Sequence, residues 1–314
     1  MKKIIALIIL GLLLMSQSSV MADQVIDFED ANLERAVIEA LDKGEGPVYF
    51  HEVEKVESLT AIEAGIKDLS GIEYFVNLRY LNLYDNKIES IAELASLEKL
   101  EELIFEHNYI SDISALSNLK NLEIFNFRYN QIDDLRPLDN LSKLRVIRLW
   151  GNQVETTSGL EELEELEVLT LSNNQVNDIS ALEDLVNLKE LHLSRNNLDN
   201  IEALDNLHSL EILYLLDNNI SDISYLSEMN NLKELNFAQN QVEDISALES
   251  LESLSEVYFR ENFVEDISPV VNNHNIEEVL SFRRNNINLA DSDVLAQIEE
   301  LQARVSTVRY RPQN

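Results

Sequence analysis

Asparagine stands at Asn86, Asn108, Asn130, Asn152, Asn174, Asn196, Asn218, Asn240 and Asn262, always 22 residues apart, and again at Asn285 after 23. Nine asparagines in one register do not arise by chance, so the chain is built from a repeated unit. Counted from each asparagine, apolar residues lie five and three before it, as in Leu81 and Leu83, Leu103 and Phe105, or Leu213 and Leu215. Further apolar columns lie two, five, eight, eleven and fourteen after it, as in Ile110, Ile113, Leu116, Leu119 and Leu122. A unit of 22 residues cannot bury seven apolar side chains alone, so neighbouring units stack and share one elongated core. The alternating segment before each asparagine is then a strand, and successive strands run parallel in identical register. A turn after a strand leaves backbone donors and acceptors unpaired, and a buried amide carrying both can bridge them between repeats. The asparagine column is therefore read as a structural ladder.

A repeat array escapes the usual size limit of a single core, so 314 residues do not count domains here. The chain carries 58 acidic and 24 basic residues, a formal charge of -34, and no cysteine. Such an excess of acid excludes nucleic acid or an anionic membrane surface as the main partner, and it favours a monomer. At the start, Lys2 and Lys3 precede an apolar run from Ile4 to Met15, and Val20-Met21-Ala22 precede Asp23. These are the parts of a secretory signal peptide, residues 1–22, with the cut expected after Ala22. The apolar run is shorter than the roughly 20 residues needed to span a bilayer, so no membrane insertion is expected after cleavage.

Residues 111–132 read SDISALSNLKNLEIFNFRYNQI. The underlying pattern L-x-L-x-x-N-x-I-x-D-I-x-x-L-x-x-L-x-x-L, with SDIS at 111–114 and 221–224, resembles the leucine-rich repeat of the internalin-like proteins of bacteria. The resemblance covers roughly residues 24–287. It implies an α/β leucine-rich repeat solenoid with a curved parallel β-sheet on its concave face and short helical or 3-10 turns on its convex side. It also implies partner proteins bound through the concave face.

The expected organisation is an N-terminal helical cap over 23–58, an array over 59–287 whose partial first repeat holds Ala64 in place of asparagine, and a C-terminal cap over 288–314. Phe28, Leu33, Val37 and Leu41 form the stripe of the first cap helix. Val294, Ile298 and Leu301 form that of the last, started by Ser292 or Asp293 and followed by the short strand VSTVRY. In the repeat of Trp150, Thr157 occupies an apolar column and Ser158-Gly159 follow, so the outer side there is expected to be less well filled. No LPxTG-type sorting motif follows the array. The expected location is therefore secreted or periplasmic, without attachment to the cell wall.

No motif of catalysis is present. There is no G-x-S-x-G, no phosphate loop and no cysteine nucleophile, and in HEVEK Lys55 stands where a zinc site needs its second histidine. The five histidines share no ligand spacing, and the acidic runs lack the glycine turn of a calcium loop, so neither cofactor nor metal is expected. The exposed strand columns differ from the rest of the surface. Six, four, two and one residues before each asparagine, 40 positions carry six arginines, eight acids and no lysine. Aromatic residues collect there too, among them Trp150, the only tryptophan. Aromatic rings and arginine are the types enriched at protein-binding hot spots. Two candidate patches follow: Tyr84, Arg128, Tyr129, Arg148 and Trp150, and then His192, Ile212, Tyr214, Leu216, Tyr258 and Arg260. The expectation is a non-enzymatic secreted protein that binds a partner, plausibly on a host or neighbouring cell surface, as virulence factors do. The alternatives are a periplasmic or envelope interaction protein and a carbohydrate-binding module.

Overall fold

The computed structural model describes residues 24–313, so the signal-peptide reading of residues 1–22 lies outside them. Two short strands, β1 Val25–Ile26 and β2 Val48–Tyr49, pair antiparallel around helix α1 Ala31–Ala40, and the single turn α2 Phe50–Val53 follows. The array then contributes one three-residue strand per repeat. These are β3 Ser58–Thr60, β4 Tyr80–Asn82, β5 Glu102–Ile104, β6 Ile124–Asn126, β7 Val146–Arg148, β8 Val168–Thr170, β9 Glu190–His192, β10 Ile212–Tyr214, β11 Glu234–Asn236, β12 Glu256–Tyr258 and β13 Val279–Ser281. Helix α3 Ser268–Asn272 lies between β12 and β13, and α4 Ser292–Arg304 precedes β14 Thr307–Arg309. Strands β3 to β14 form one parallel twelve-stranded sheet in sequence order. Register is kept repeat to repeat, with Leu81, Leu103, Phe125 and Ile147 as successive neighbours. The parallel registered strands read from the period, and the leucine-rich repeat solenoid that the resemblance implies, are the fold observed.

Why each strand stops is visible at the residue before the asparagine. Asp85, His107, Tyr129, Asn173, Arg195, Asp217, Gln239, Glu261 and Arg284 all have left-handed backbones, with φ between 51° and 60°. The chain turns a corner there, a conformation that side-chain-bearing residues adopt at some cost. In the repeat of Trp150 that corner is Gly151, φ 73°, where the conformation is free of that cost.

The asparagine that follows holds the corner. Nδ2 of Asn152 donates to the carbonyls of Phe127 at 2.9 Å and Leu149 at 3.0 Å, while its Oδ1 accepts from the backbone N–H of Ile132 at 3.0 Å. Each amide thus ties its own repeat to the one before. The pattern runs from Asn86, which bonds Ala61, Leu83 and Ile66, to Asn285, which bonds Phe259, Phe282 and Val264. Asn174 makes the same bonds while half-buried.

Four residues past the asparagine a second column acts. Oδ1 of Asp112, Asp178, Asp222 and Asp244 accepts from the N–H two residues on, at 2.8 to 2.9 Å, and opens the 3-10 turn of the convex side. This is the local side-chain turn that aspartate and asparagine favour, and it explains the aspartate of SDIS. Hydrogen bonding from Ser114, Ser180 and Ser224 holds Asp112, Asp178 and Asp222 below the ordinary carboxylate range. Arg136 does the same for Asp134.

The repeat of Thr157 is closed rather than loose. Thr157 is buried, its N–H donates to the carbonyl of Asp178, and Gly159 (φ 101°) brings its backbone so close that an added Cβ would lie 2.5 Å from the Cα of Arg136. The missing bulk of an apolar column is replaced by a nearer backbone.

Both ends are covered. Asp30 caps α1 through Asn32 and reaches the N–H of Lys67 at 2.6 Å, joining the cap to the first repeat. Helix α4 is capped by Asp291, one residue before the expected Ser292, and buries Ile298 and Leu301. The strand after it is not a separate cover, because β14 adds to the main sheet beside β13.

Candidate binding surface on the concave face

The strand residues that do not enter the core line the concave face, half-buried by their neighbours in adjacent repeats. Trp150 is half-buried rather than fully out in water. Its ring meets that of Tyr129 edge-on at 4.5 Å. Tyr129 stacks on His107 at 4.2 Å, and His107 meets Tyr84 edge-on at 5.6 Å. Four rings from four consecutive repeats thus form one ladder. Gly151 permits it, because a Cβ there would press on the Tyr129 ring at 3.0 Å.

Beside the ladder lies a pocket of about 400 Å³ lined by Glu106, Arg128, Tyr129, Trp150, Thr170, Ser172 and His192. Arg128 stands 3.8 Å from Glu106. On the floor, Thr170 is buried and its Oγ1 makes no hydrogen bond to protein. Nε2 of His192 lies 3.0 Å from Oε1 of Glu190, at an angle outside hydrogen-bond geometry. Burial lowers the His192 pKa, Glu190 opposes the shift and Arg128 adds to it. His192 also stacks on Tyr214 at 4.4 Å.

Of the first sequence-derived patch, Arg128, Tyr129 and Trp150 share the pocket, Tyr84 is joined through His107, and Arg148 is a half-buried neighbour on β7. The second patch divides. His192 turns toward Arg128 and Trp150. Ile212 and Tyr214 lie between, the Tyr214 hydroxyl donating to Glu234 at 2.7 Å. Burial, then this hydrogen bond to the carboxylate, raises the Tyr214 pKa. Leu216, Tyr258 and Arg260 line a second pocket of about 400 Å³ toward the C-terminal end. There burial, then a hydrogen bond to Glu256, pushes Tyr258 up to about 12.

Four contributors escaped the sequence reading. His107 links the rings from a left-handed corner, a conformation no hydrophobic pattern reports. Thr170 and Ser172 are small polar residues, a type that the search for aromatic rings and arginines passes over. Arg309 reaches the face because β14 joins the sheet. Outside the face, the column seven before each asparagine carries ion pairs between repeats: Arg79 with Glu101, Arg145 and Lys189 with Glu167, and Lys233 with Glu211. Among the described residues no group of histidine and carboxylate side chains is placed to hold a metal, and no helix is long and apolar enough to cross a membrane.

The comparisons agree with this architecture. The family of leucine-rich repeats (2 copies) matches in overlapping windows from 76–118 to 230–272. An internalin (InlF) of Listeria monocytogenes is 28% identical, with a TM-score of 0.76, over 91% of this chain and 90% of that one. Internalin C2 of the same species is 32% identical, with a TM-score of 0.57, over 74% of this chain and 94% of that one. The functional domain of InlJ from Listeria monocytogenes, 18% identical with a TM-score of 0.79 over 92% of this chain and 62% of that one, shares the fold and includes a cysteine ladder. No curated protein matches the sequence. With its 22-residue unit, asparagine ladder and parallel sheet, the chain belongs to the leucine-rich repeat family as an internalin-like bacterial member.

Proposed function

We propose that this chain is a secreted, non-enzymatic binding protein that holds a protein partner, on a host or neighbouring cell surface, against the concave sheet. The observation that carries the reading is the four-ring ladder of Tyr84, His107, Tyr129 and Trp150 beside the pocket of Arg128 and His192. Rings already packed on each other lose little freedom when a partner covers them, so more of the contact energy appears as affinity. The protein works as a monomer, and its signal peptide directs it out of the cytoplasm.

The test is a cross-linked capture from host and bacterial surface extracts, with the chain from residue 23 onward as bait and a Tyr129→Ala, Trp150→Ala variant beside it. One protein held by the parent and lost from the variant is the expected result. Equal capture by both baits would remove the ring ladder from the binding site. Cell fractionation with N-terminal sequencing checks the location, the expected first residue being Asp23.

One observation favours a second reading. Aromatic walls at Tyr129 and Trp150 over hydroxyls at Thr170 and Ser172 would also suit a glycan. A glycan array separates the two.

A further inference from the structure

The chain carries 24 basic residues against 58 acidic ones, yet arginines gather at the C-terminal end of the concave face. The pocket there is lined by Arg260, Arg283, Arg284 and Arg309 and by only one carboxylate, Glu261. The sheet register assembles them. Tyr258, Ser281 and Arg309 are neighbours across β12, β13 and β14, and Arg260 and Arg283 each stand two residues beyond that row. Glu261 is engaged with two of the four: its Oε1 is 2.6 Å from Nη1 of Arg260 and 3.1 Å from Nη1 of Arg284. Gln239 holds the same carboxylate from the other side, donating to Oε2 at 3.0 Å and accepting from Arg260 at 3.3 Å. Arg283 and Arg309 are exposed, and among the described residues no carboxylate lies within ion-pair distance of either.

We propose that this arginine pocket is an anion subsite that receives a short acidic segment of the protein partner. The proposal rests on the concave face being a protein-docking surface. Guanidinium groups present paired donors that match carboxylates two at a time, and the Glu261 clamp fixes two of them in advance. Charge decides the length of the ligand. The cluster spans three strands, about 10 Å at roughly 4.8 Å per strand. Beyond it the surface returns to the strongly negative potential of a chain with charge -34. Screening lengths of about 8 Å do not hide that potential from a long polyanion running off the patch. Two to four carboxylates of a short acidic segment can sit inside the positive zone at once, with its few remaining residues at the rim, whereas an extended sulfated polysaccharide would be repelled at both ends.

The experiment titrates three probes into the protein by calorimetry at low salt: a hexaglutamate peptide, its hexaglutamine counterpart and a heparin oligosaccharide. The same titrations use an Arg283→Glu, Arg309→Glu variant, both sites exposed, and the Tyr129→Ala, Trp150→Ala variant as a control. The expected result is that hexaglutamate binds the parent and the ring-ladder variant equally, and at least tenfold more weakly to the charge-reversed variant. Hexaglutamine should not bind, and binding should fade as salt rises. Absence of hexaglutamate binding, or equal binding to the charge-reversed variant, overturns the proposal. Heparin bound more tightly than hexaglutamate overturns it in favour of a glycan polyanion. Partner capture keeps the two readings apart: loss only in the ring-ladder variant leaves the docking face standing and removes this subsite from it. Loss only in the charge-reversed variant keeps this subsite and removes the ring ladder from the docking face.

Discussion

At Asn152 three hydrogen bonds depend on one buried amide, two donated to Phe127 and Leu149 and one accepted from Ile132. Asn152→Ala leaves those backbone groups unpaired, at a cost of about 1 to 3 kcal/mol, read as a clear fall in melting temperature. Replacing Arg148 and Trp150 together by alanine removes the edge-on contact with Tyr129 and costs about 1 kcal/mol. A double variant less stable than Asn152→Ala would mean that the concave face, and not the ladder, holds the repeat. The ladder was legible in the sequence because nine asparagines share one register and its chemistry is one residue type. The Trp150 surroundings were legible only in part. Alternation along Val146, Arg148 and Trp150 assigned the correct face, but the strand ends at Arg148 and the indole is half-buried, with Tyr129 of the preceding repeat edge-on against it. His107 joins the ladder only because its backbone is left-handed, and no spacing rule carries that information.

The convex turns are where single elements are decided, and two substitutions probe them. Gly159→Ala must place a methyl group 2.5 Å from the Cα of Arg136 at a φ of 101°, so overpacking and backbone strain should together cost about 3 kcal/mol. A melting temperature equal to the parent's would show that this turn can move outward. The aspartate caps predict a pH dependence. The folded pKa values of Asp112, Asp134, Asp178 and Asp222 lie below their ordinary value, so the folded state binds fewer protons there than the unfolded one. Their contribution is complete above the unfolded value of about 3.9 and is lost as pH falls through the lower folded values. Asparagine already opens one turn unaided, since Asn200 accepts from Glu202 at 2.8 Å. Replacing the four aspartates by asparagine should therefore keep the neutral-pH melting temperature and flatten its decline between about pH 4 and pH 2. An acid limb as steep as the parent's would remove the caps as its source. The SDIS motif was visible from the start, but its aspartate reads as surface charge until the turn geometry shows what it accepts from.

Across the whole molecule, each repeat touches only its neighbours, so stability is distributed along one dimension and damage at an end should stay there. Arg304 provides the test. From α4 its guanidinium donates to the carbonyls of Val270 at 2.7 Å, Val271 at 2.9 Å and Ile276 at 2.9 Å, binding the terminal helix to α3 and the last turn. Burial holds its pKa below the ordinary guanidinium range, opposed by Glu300 and Glu277, so the group is partly desolvated and its loss is not compensated by water alone. Arg304→Ala should loosen α4 and β14 by about 2 kcal/mol. In hydrogen exchange, protection should fall at Thr307–Arg309 and then at β13, while β7 to β9 keep the parent's protection. Uniform loss along the array would mean that the repeats unfold as one unit, and the one-dimensional picture would have to be abandoned. Because β14 also carries Arg309 into the arginine pocket, the same variant should weaken hexaglutamate binding without touching the ring ladder around Trp150, whose strand β7 lies seven places along the sheet from β14.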